Sequence, residues 1–173
     1  SRYCLQAVKG KIRMTTPYAT LAYNPLRDSD RLPVLIRLAS SPDSALVYST
    51  WMRSYADQNK DQHRGILYKS HRKIIRNLME KSVTVMAVMD NDPNQIFAWM
   101  CGVRSKSGPL LVHYCYVKDA FRRLGLAKLL LGYFEHRSGE PVICSHKGYV
   151  YKSLRDRYNL FYVPQVQEPT GVD

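Results

Sequence analysis

The sequence is poor in acidic side chains. Its 173 residues include 14 Asp and Glu against 26 Lys and Arg, which gives a formal net charge of +12. This imbalance favours a polyanionic partner, such as a nucleic acid, an anionic surface or a phosphorylated cofactor. The alternative interpretation is a basic surface that is only solvated and helps solubility.

Long apolar runs are also missing: no segment is suited to cross a bilayer, and no signal-peptide pattern is present. Cysteine is scarce, with four residues, and no Cys-x-x-Cys pair or His/Cys cluster has the spacing of a structural zinc site. Cys101, Cys115 and Cys144 lie in apolar, strand-like runs, where a free thiol behaves as a small hydrophobic group. These absences argue against a membrane protein and a metal site, and they predict a reduced, cytoplasmic protein.

No repeat, low-complexity linker or composition shift divides the chain. Its length and its 45% hydrophobic content suit one domain with a sizeable core, which we expect to comprise residues 14–173. Residues 1–13 are basic and precede Met14. We interpret them as an upstream remnant, left by cloning or by an earlier translation start, and exclude them from the site.

Apolar periodicity and turn residues predict the order strand, two helices, three strands, helix, strand, helix, strand. The three consecutive strands are joined by short turns, which is typical of an antiparallel meander. Ser41 and Pro42 are expected to begin the first helix, as a side-chain cap followed by proline. The expected strands are 19–26, 83–90, 96–103, 110–117, 141–145 and 160–163, and the expected helices are 41–55, 66–80, 123–136 and 148–157.

The second predicted helix has two distinct faces. One is apolar and carries Ile66, Leu67, Ile74, Ile75, Leu78 and Met79. The other is basic and carries Lys69, Arg72, Lys73 and Arg76, with His71 nearby. A basic face is usually only solvated. Here it is also the best candidate for contacts with the phosphates of an acceptor.

The segment 117–131 carries the most specific signal. It follows an alternating apolar segment and runs into an amphipathic helix, with Arg122, Gly125 and Ala127 at the helix start. The first backbone N–H groups of a helix have no partner within it, and small residues let a phosphate approach them. The spacing therefore predicts an anion site.

This segment resembles the pyrophosphate-binding motif of the GNAT family of N-acetyltransferases. The resemblance is carried by Val117, Phe121, Arg122, Gly125, Ala127, Leu130 and Leu131. Arg123 departs from the family pattern, which often has glycine there, but it removes no backbone donor. The predicted order of elements agrees independently. The resemblance implies an α/β (α+β) fold with a mixed, mostly antiparallel central sheet flanked by helices.

The resemblance also implies an acyl-CoA-dependent N-acyltransferase that uses acetyl-CoA or another acyl-CoA. The pyrophosphate would be held by the amides of Arg123, Leu124, Gly125, Leu126, Ala127 and Lys128, with added charge from Arg122. The backbone of Tyr116, Val117 and Lys118 would grip the pantetheine and polarise the thioester carbonyl.

The catalytic residues follow less directly, because residues 145–154 lack the family's usual Asn-x-x-Ala…Leu-Tyr pattern. Ser145 is a candidate hydrogen-bonding group at the strand end, next to His146. Tyr149 or Tyr151 is the candidate general acid, since its reference pKa near 10 suits a leaving thiolate. With 13 tyrosines in the chain, either of the two is also expected simply to pack. His113 and Tyr114 alternate on the preceding strand, so one of them could enter the cleft.

The acceptor is left open. The basic second helix and the aromatic-rich segment 51–55 resemble phage-encoded Mom-type proteins, which modify adenine in DNA and act in a bacterial host. Under that resemblance Trp51 and Tyr55 would stack on an extruded base, although aromatic side chains are more often part of a core. The alternatives are acylation of a protein, an aminoacyl-tRNA or a small-molecule amine. A further alternative is a non-catalytic nucleic-acid-binding protein that keeps the fold.

Overall fold

The computed structural model describes residues 19–22, 32–61, 63–104, 108–147 and 151–164. These residues form a seven-stranded sheet in which neighbouring strands follow chain order. The strands are β1 (Ala19–Ala22), β2 (Leu32–Leu38), β3 (Val83–Met89), β4 (Asp92–Arg104), β5 (Leu110–Val117), β6 (Val142–Cys144) and β7 (Leu160–Tyr162). The helices are α1 (Ser44–Gln58), α2 (Arg64–Lys81), α3 (Leu126–Tyr133) and α4 (Tyr151–Leu154).

The sheet is mixed and mostly antiparallel, which confirms the expected fold class. Strands β1 to β5 pair antiparallel with their neighbours, and the predicted meander is β3, β4 and β5. After β5 the pairing becomes parallel, from β5 to β6 and from β6 to β7. The two parallel connections contain α3 and α4, because a parallel crossover needs a longer connection than a hairpin does.

Two apolar cores lie on opposite faces of the sheet. On one face α1 and α2 cover a cluster that includes Trp51, Ile75, Leu78 and Trp99. On the other face α3 packs through Leu126, Leu130 and Leu131 onto a second cluster. Of the helices in the described ranges, none combines the length and apolar character that a membrane span requires.

The first part of the chain differs from the prediction. The expected strand 19–26 is described only at β1, and the sequence interpretation omitted β2, which directly precedes the helices. Pro33 obscures β2 in the sequence because proline cannot donate to a strand ladder. Pairing decides the conformation, since residues from Val34 to Leu38 lie opposite β3. The expectation for residues 1–13 lies outside the described residues.

Several helix boundaries also differ. A short 3₁₀ turn, Ser41–Asp43, precedes α1, and the capping residue is Ser40 rather than Ser41. The third helix is shorter than predicted because Arg123 and Gly125 have left-handed backbone conformations, with φ of 66° and 81°, which delay its start. In α2, Ile66 is 71% exposed and does not belong to the apolar face. Part of the last predicted helix, residues 148–150, lies outside the described residues.

The strand β5 contains an irregularity in its pairing with β4. Gly102 lies opposite Val112 while Cys101 lies opposite Tyr114, so His113 forms a β-bulge. The backbone of β4 at Gly102 lies so close to β5 that a Cβ atom there would lie 2.7 Å from the carbonyl oxygen of Leu111. Glycine is therefore required for the strands to meet at this point. Bulges bend and twist a strand, and they are frequent beside active sites.

Beyond the bulge, β5 changes its surroundings. Tyr114 and Tyr116 pack in the core under α1 and α2, whereas Cys115 and Val117 pack on the α3 side. The parallel pairing with β6 ends where Val112 meets Cys144. The rest of β5 continues past the end of β6 and leaves one strand edge open.

Candidate active site

A cleft opens where β5 and β6 diverge. The amide of Ser145 donates to the carbonyl of Val112 at 3.2 Å, next to the last paired residues. The cleft has about 480 Å³ of empty space, counted out to its open mouth. Its walls come from the end of β5, the start of α3 and α4, and they include His113, Cys115, Ala127, His146 and Tyr151. In open sheets with parallel strands, ligands bind outside the carboxyl ends of those strands.

The turn between β5 and α3 has the geometry of an anion site. Gly125 caps α3, and the first amide bonded back into the helix is that of Leu129, which donates to the Gly125 carbonyl at 3.1 Å. The amides of Leu126, Ala127 and Lys128 therefore belong to the helix end that has no intrahelical acceptor. Apart from its two chain neighbours, no described residue has an atom within 4 Å of the position that a Cβ atom of Gly125 would take. The predicted anion site has its donors and its open space, and its ligand remains a prediction.

The predicted cofactor residues fall into different environments. The Nε atom of Arg122 donates to the carbonyl of Val117 at 3.3 Å, and its guanidinium forms an ion pair with Asp119. Arg122, Arg123 and Lys128 are exposed, whereas Leu124 and Leu126 pack into the core. The turn thus offers backbone donors and cations to solvent and apolar side chains to the interior.

The prediction for the backbone of Tyr116, Val117 and Lys118 needs one correction. The amide of Lys118 donates to the carbonyl of Phe97 at 3.0 Å, so it is not available to a ligand. Because successive amides of a strand point to opposite sides, the amide of Tyr116 faces β4 as well, and the amides of Cys115 and Val117 face the open edge. The side chain of Tyr116 packs on the opposite core.

Three polar side chains meet at the floor of the cleft. The hydroxyl of Ser145 lies 2.9 Å from Nδ1 of His113 and 2.9 Å from Nδ1 of His146. Burial, reinforced by His146, lowers the pKa of His113 to about 4. Burial, reinforced by His71, lowers the pKa of His146 to about 4. Both imidazoles are therefore neutral at pH 7. The sequence interpretation named all three residues, with His113 as one of two side chains that could enter the cleft, but it did not predict that the histidines contact Ser145.

The candidate general acids predicted from the sequence are Tyr149 and Tyr151. Tyr149 lies outside the described residues, and Tyr151 lines the cleft with its ring centroid 6.1 Å from that of Tyr162.

Burial raises the pKa of Cys115 and of Cys144 to about 12. Thiols with such pKa values are poor nucleophiles at neutral pH. Neither thiol is therefore suited to act as the nucleophile of a reaction in the cleft at neutral pH.

The predicted acceptor residues are separated by the fold. Lys69, Arg72, Lys73 and Arg76 are all exposed on α2. His71 is half-buried on the inner side of the same helix, with its ring centroid 3.6 Å from that of Tyr55. Trp51 is 1% exposed and stacks on Tyr114, so the core interpretation applies to it and it has no free face for a base.

A second groove lies on the α1 face of β5. It has about 680 Å³ of empty space and is lined from α1 by Arg53 and Asp57 and from the strand and turn by Tyr116 and Arg122. The sequence interpretation did not predict it. Its walls come from segments more than fifty residues apart, and only the sheet brings them together.

Comparison with known proteins gives similarity only in structure. No model of a protein family matches the chain, and no curated protein sequence matches it. The fold is similar to a possible acetyltransferase from Clostridium difficile, at 14% identity over 81% of this chain and 98% of that one, with a TM-score of 0.49. A predicted acetyltransferase from Clostridium acetobutylicum, solved with acetyl-CoA, is 16% identical over 78% and 94% of the two chains, with a TM-score of 0.42.

A third similar structure is a putative acetyltransferase of the GNAT family from Desulfovibrio desulfuricans. It is 17% identical over 58% of this chain and 62% of that one, with a TM-score of 0.38. Similarity at this level does not decide an activity, so the function of this chain has to be inferred from its own geometry.

Proposed function

We propose that this protein is an acyl-CoA-dependent N-acyltransferase that uses acetyl-CoA or a related acyl-CoA. The observation that carries the proposal is a juxtaposition: the turn before α3, with its free helix-start amides, follows the open edge of β5, and both border the cleft. A turn for a pyrophosphate and a strand edge for an extended amide chain are the two features that coenzyme A needs.

The donor would lie along the end of β5. Its pyrophosphate would meet the amides of Leu126 to Lys128 and the cations of the turn. Its pantetheine would pair with the open edge of the strand, as an added strand would. The amide of Cys115 or Val117 would then donate to the thioester oxygen and stabilise the negative charge that develops there.

Acyl transfer at this place requires an amine, a positioned thioester and a route for one proton. The amine nitrogen forms a bond to the acyl carbon while the carbon–sulfur bond breaks. The amine loses one proton and the departing sulfur gains one. Neutral imidazoles beside the cleft suit this exchange because each has one nitrogen that can accept a proton.

Binding of acetyl-CoA to the purified protein tests the proposal directly. Isothermal titration calorimetry with acetyl-CoA is expected to give a single site, and adenosine alone is expected to bind far more weakly because it lacks the pyrophosphate and pantetheine. Absence of acetyl-CoA binding to the folded protein overturns the proposal. Incubation with radiolabelled acetyl-CoA and plasmid DNA, tRNA, a lysine peptide or a small amine then identifies the acceptor class.

We further propose a nucleic acid as the acceptor. The supporting observation is that a chain of ring contacts through α1 links α2, which carries the basic face, to the cleft. His71, on the inner side of α2, contacts Tyr55, and the ring of Tyr55 lies edge-on to His146 at 6.0 Å between centroids. A phosphate backbone held on the outer side of α2 would thus lie near the mouth of the cleft.

Charge reversal tests this acceptor. Changing Lys69, Arg72, Lys73 and Arg76 to Glu should weaken binding of plasmid DNA and tRNA and flatten its salt dependence, while acetyl-CoA affinity is unchanged. The matched control reverses four exposed cations outside α2, Lys60, Arg137, Arg155 and Arg157. Equal losses in both variants would mean that only net charge matters. Binding of nucleic acid without any acyl transfer would favour the non-catalytic alternative, and transfer to a peptide or small amine alone would favour those acceptors.

A further inference from the structure

The Ser145 hydroxyl joins two imidazoles and has only one proton to share. It lies 2.9 Å from both Nδ1 atoms, so it donates to one of them and accepts from the other. The two neutral histidines must then be in opposite tautomers: one has its proton on Nδ1, the other on Nε2. This constraint follows from the number of hydrogen-bond donors and acceptors alone.

The outer nitrogen of His113 has an unusual position. His113 is 0% exposed, it lines the cleft, and among the described residues its Nε2 atom has no hydrogen-bond partner. A buried polar atom without a partner costs free energy, so it calls for an explanation. A ligand group in the cleft would supply the missing partner. His146, by contrast, is half-buried and lies beside Trp51 and Tyr55 of α1, on the side from which the proposed acceptor would approach.

We propose that His146, Ser145 and His113 form a proton relay that carries the proton of the attacking amine to the departing sulfur. This inference rests on the proposed function. His146 takes the amine proton at Nε2 and releases its Nδ1 proton to Ser145. Ser145 passes its own proton to Nδ1 of His113, and His113 releases its Nε2 proton to the sulfur. One proton enters and one leaves, and both imidazoles end in the other tautomer.

The relay suits a buried site because no imidazolium accumulates in it. A single buried histidine acting as base would have to hold a positive charge, which burial opposes here. Concerted transfer avoids that charge at every stage. After product release, a water molecule in the cleft donates a proton to Nε2 of His113 and a water molecule at half-buried His146 accepts one from its Nε2. The resting tautomers are thereby restored by the reverse sequence.

Tautomer measurement tests the resting state without any acceptor. Long-range ¹H–¹⁵N NMR on the full chain should show a proton on Nδ1 of His146 and on Nε2 of His113. Acetyl-CoA should shift the Nε2 signal of His113. Two identical tautomers, or a His113 signal that saturating acetyl-CoA leaves unchanged, would overturn the relay.

Variants test the transfer itself, with release of the coenzyme A thiol as the readout. Ser145→Ala should lower kcat by about 100-fold or more, with the KM for acetyl-CoA nearly unchanged, because proton transfer contributes in that range. Ser145→Thr keeps the hydroxyl and should retain most of the rate. The control, Thr84→Val, removes a buried hydroxyl on β3 that does not line the cleft and should leave the rate unchanged.

The solvent isotope effect separates a relay from a structural role. The wild type should give a curved proton inventory, since several protons move together, whereas Ser145→Ala should give a linear one. An active wild type with an equally active Ser145→Ala variant overturns the relay and leaves the acyltransferase standing. A wild type that does not bind acetyl-CoA overturns both.

Discussion

The Arg37 guanidinium forms a two-point ion pair with the Asp43 carboxylate, at 2.7 and 2.9 Å. The same carboxylate accepts from the amide and the hydroxyl of Ser40, at 2.7 and 2.8 Å. The pair joins the end of β2 to the turn that begins α1. It therefore fixes the angle at which α1 covers the sheet beside the cleft.

Removing the carboxylate should destabilise the fold. Asp43 is only 6% exposed, so Asp43→Ala leaves a partly buried guanidinium without its partner, and we expect a loss of about 3 kcal/mol in the free energy of unfolding. Urea denaturation measures it. The control is Asp119→Ala, because the Asp119 side chain is 83% exposed in its ion pair and should cost less than about 1 kcal/mol. Similar losses in both variants would contradict this interpretation.

Stability should fall in two stages as the pH is lowered. Burial depresses the pKa of His113 and His146 to about 4, so the unfolded chain binds more protons than the folded one between about pH 6.5 and 4. The free energy of unfolding is therefore unaffected above about pH 6.5 and decreases as the pH falls towards about 4, by up to roughly 3 kcal/mol per imidazole.

A second stage involves Asp43, whose pKa the ion pair and hydrogen bonds with Arg37 hold well below its usual range. Its contribution is present above about pH 4 and is lost as the pH falls further. Denaturation at several pH values checks both stages. Changing both His113 and His146 to Asn should flatten the first stage and leave the second, and an unchanged slope would refute the assignment.

Gly102 should tolerate no side chain. In Gly102→Ala the new Cβ would lie 2.7 Å from the Leu111 carbonyl oxygen, so we expect a loss of about 1–3 kcal/mol from forced backbone movement. Gly132→Ala is the matched control within α3, because no atom lies within 4 Å of its Cβ position. Alanine there should stabilise the helix by up to about 1 kcal/mol. Thermal unfolding that ranks the two variants in the opposite order would contradict the bulge geometry.

Gly125 should control donor binding. Gly125→Glu places a carboxylate at the helix start, and we expect acetyl-CoA affinity to fall by roughly 100-fold or more through repulsion of the pyrophosphate. Because φ at Gly125 is 81°, any side chain also adds backbone strain. Gly125→Asn adds a neutral side chain that tolerates this conformation, so it separates the effect of the negative charge from that of a side chain. Gly132→Glu adds the same charge at the other end of α3. Calorimetry should show normal binding by Gly132→Glu and an intact fold in all three variants.

Local signals in the sequence were sufficient for much of the fold. The predicted range 110–117 coincides with β5, and the meander and the basic face of α2 were predicted, because alternation and helical spacing are local properties. The motif around Gly125 also predicted a helix start there, and Gly125 is the N-cap of α3. The strand β2 was missed because its conformation depends on pairing with β3.

The sequence by itself determined the order of the elements from the first helix onward, the charge of the surface and the turn that precedes α3. Each of these depends on residues within a few positions of one another. Only the tertiary structure decided which polar groups share the cleft. His113 meets Ser145 because a bulge rotates one residue of β5, and β6 ends beside it. Contacts between residues 32 positions apart depend on strand register, which no local pattern in this chain specifies.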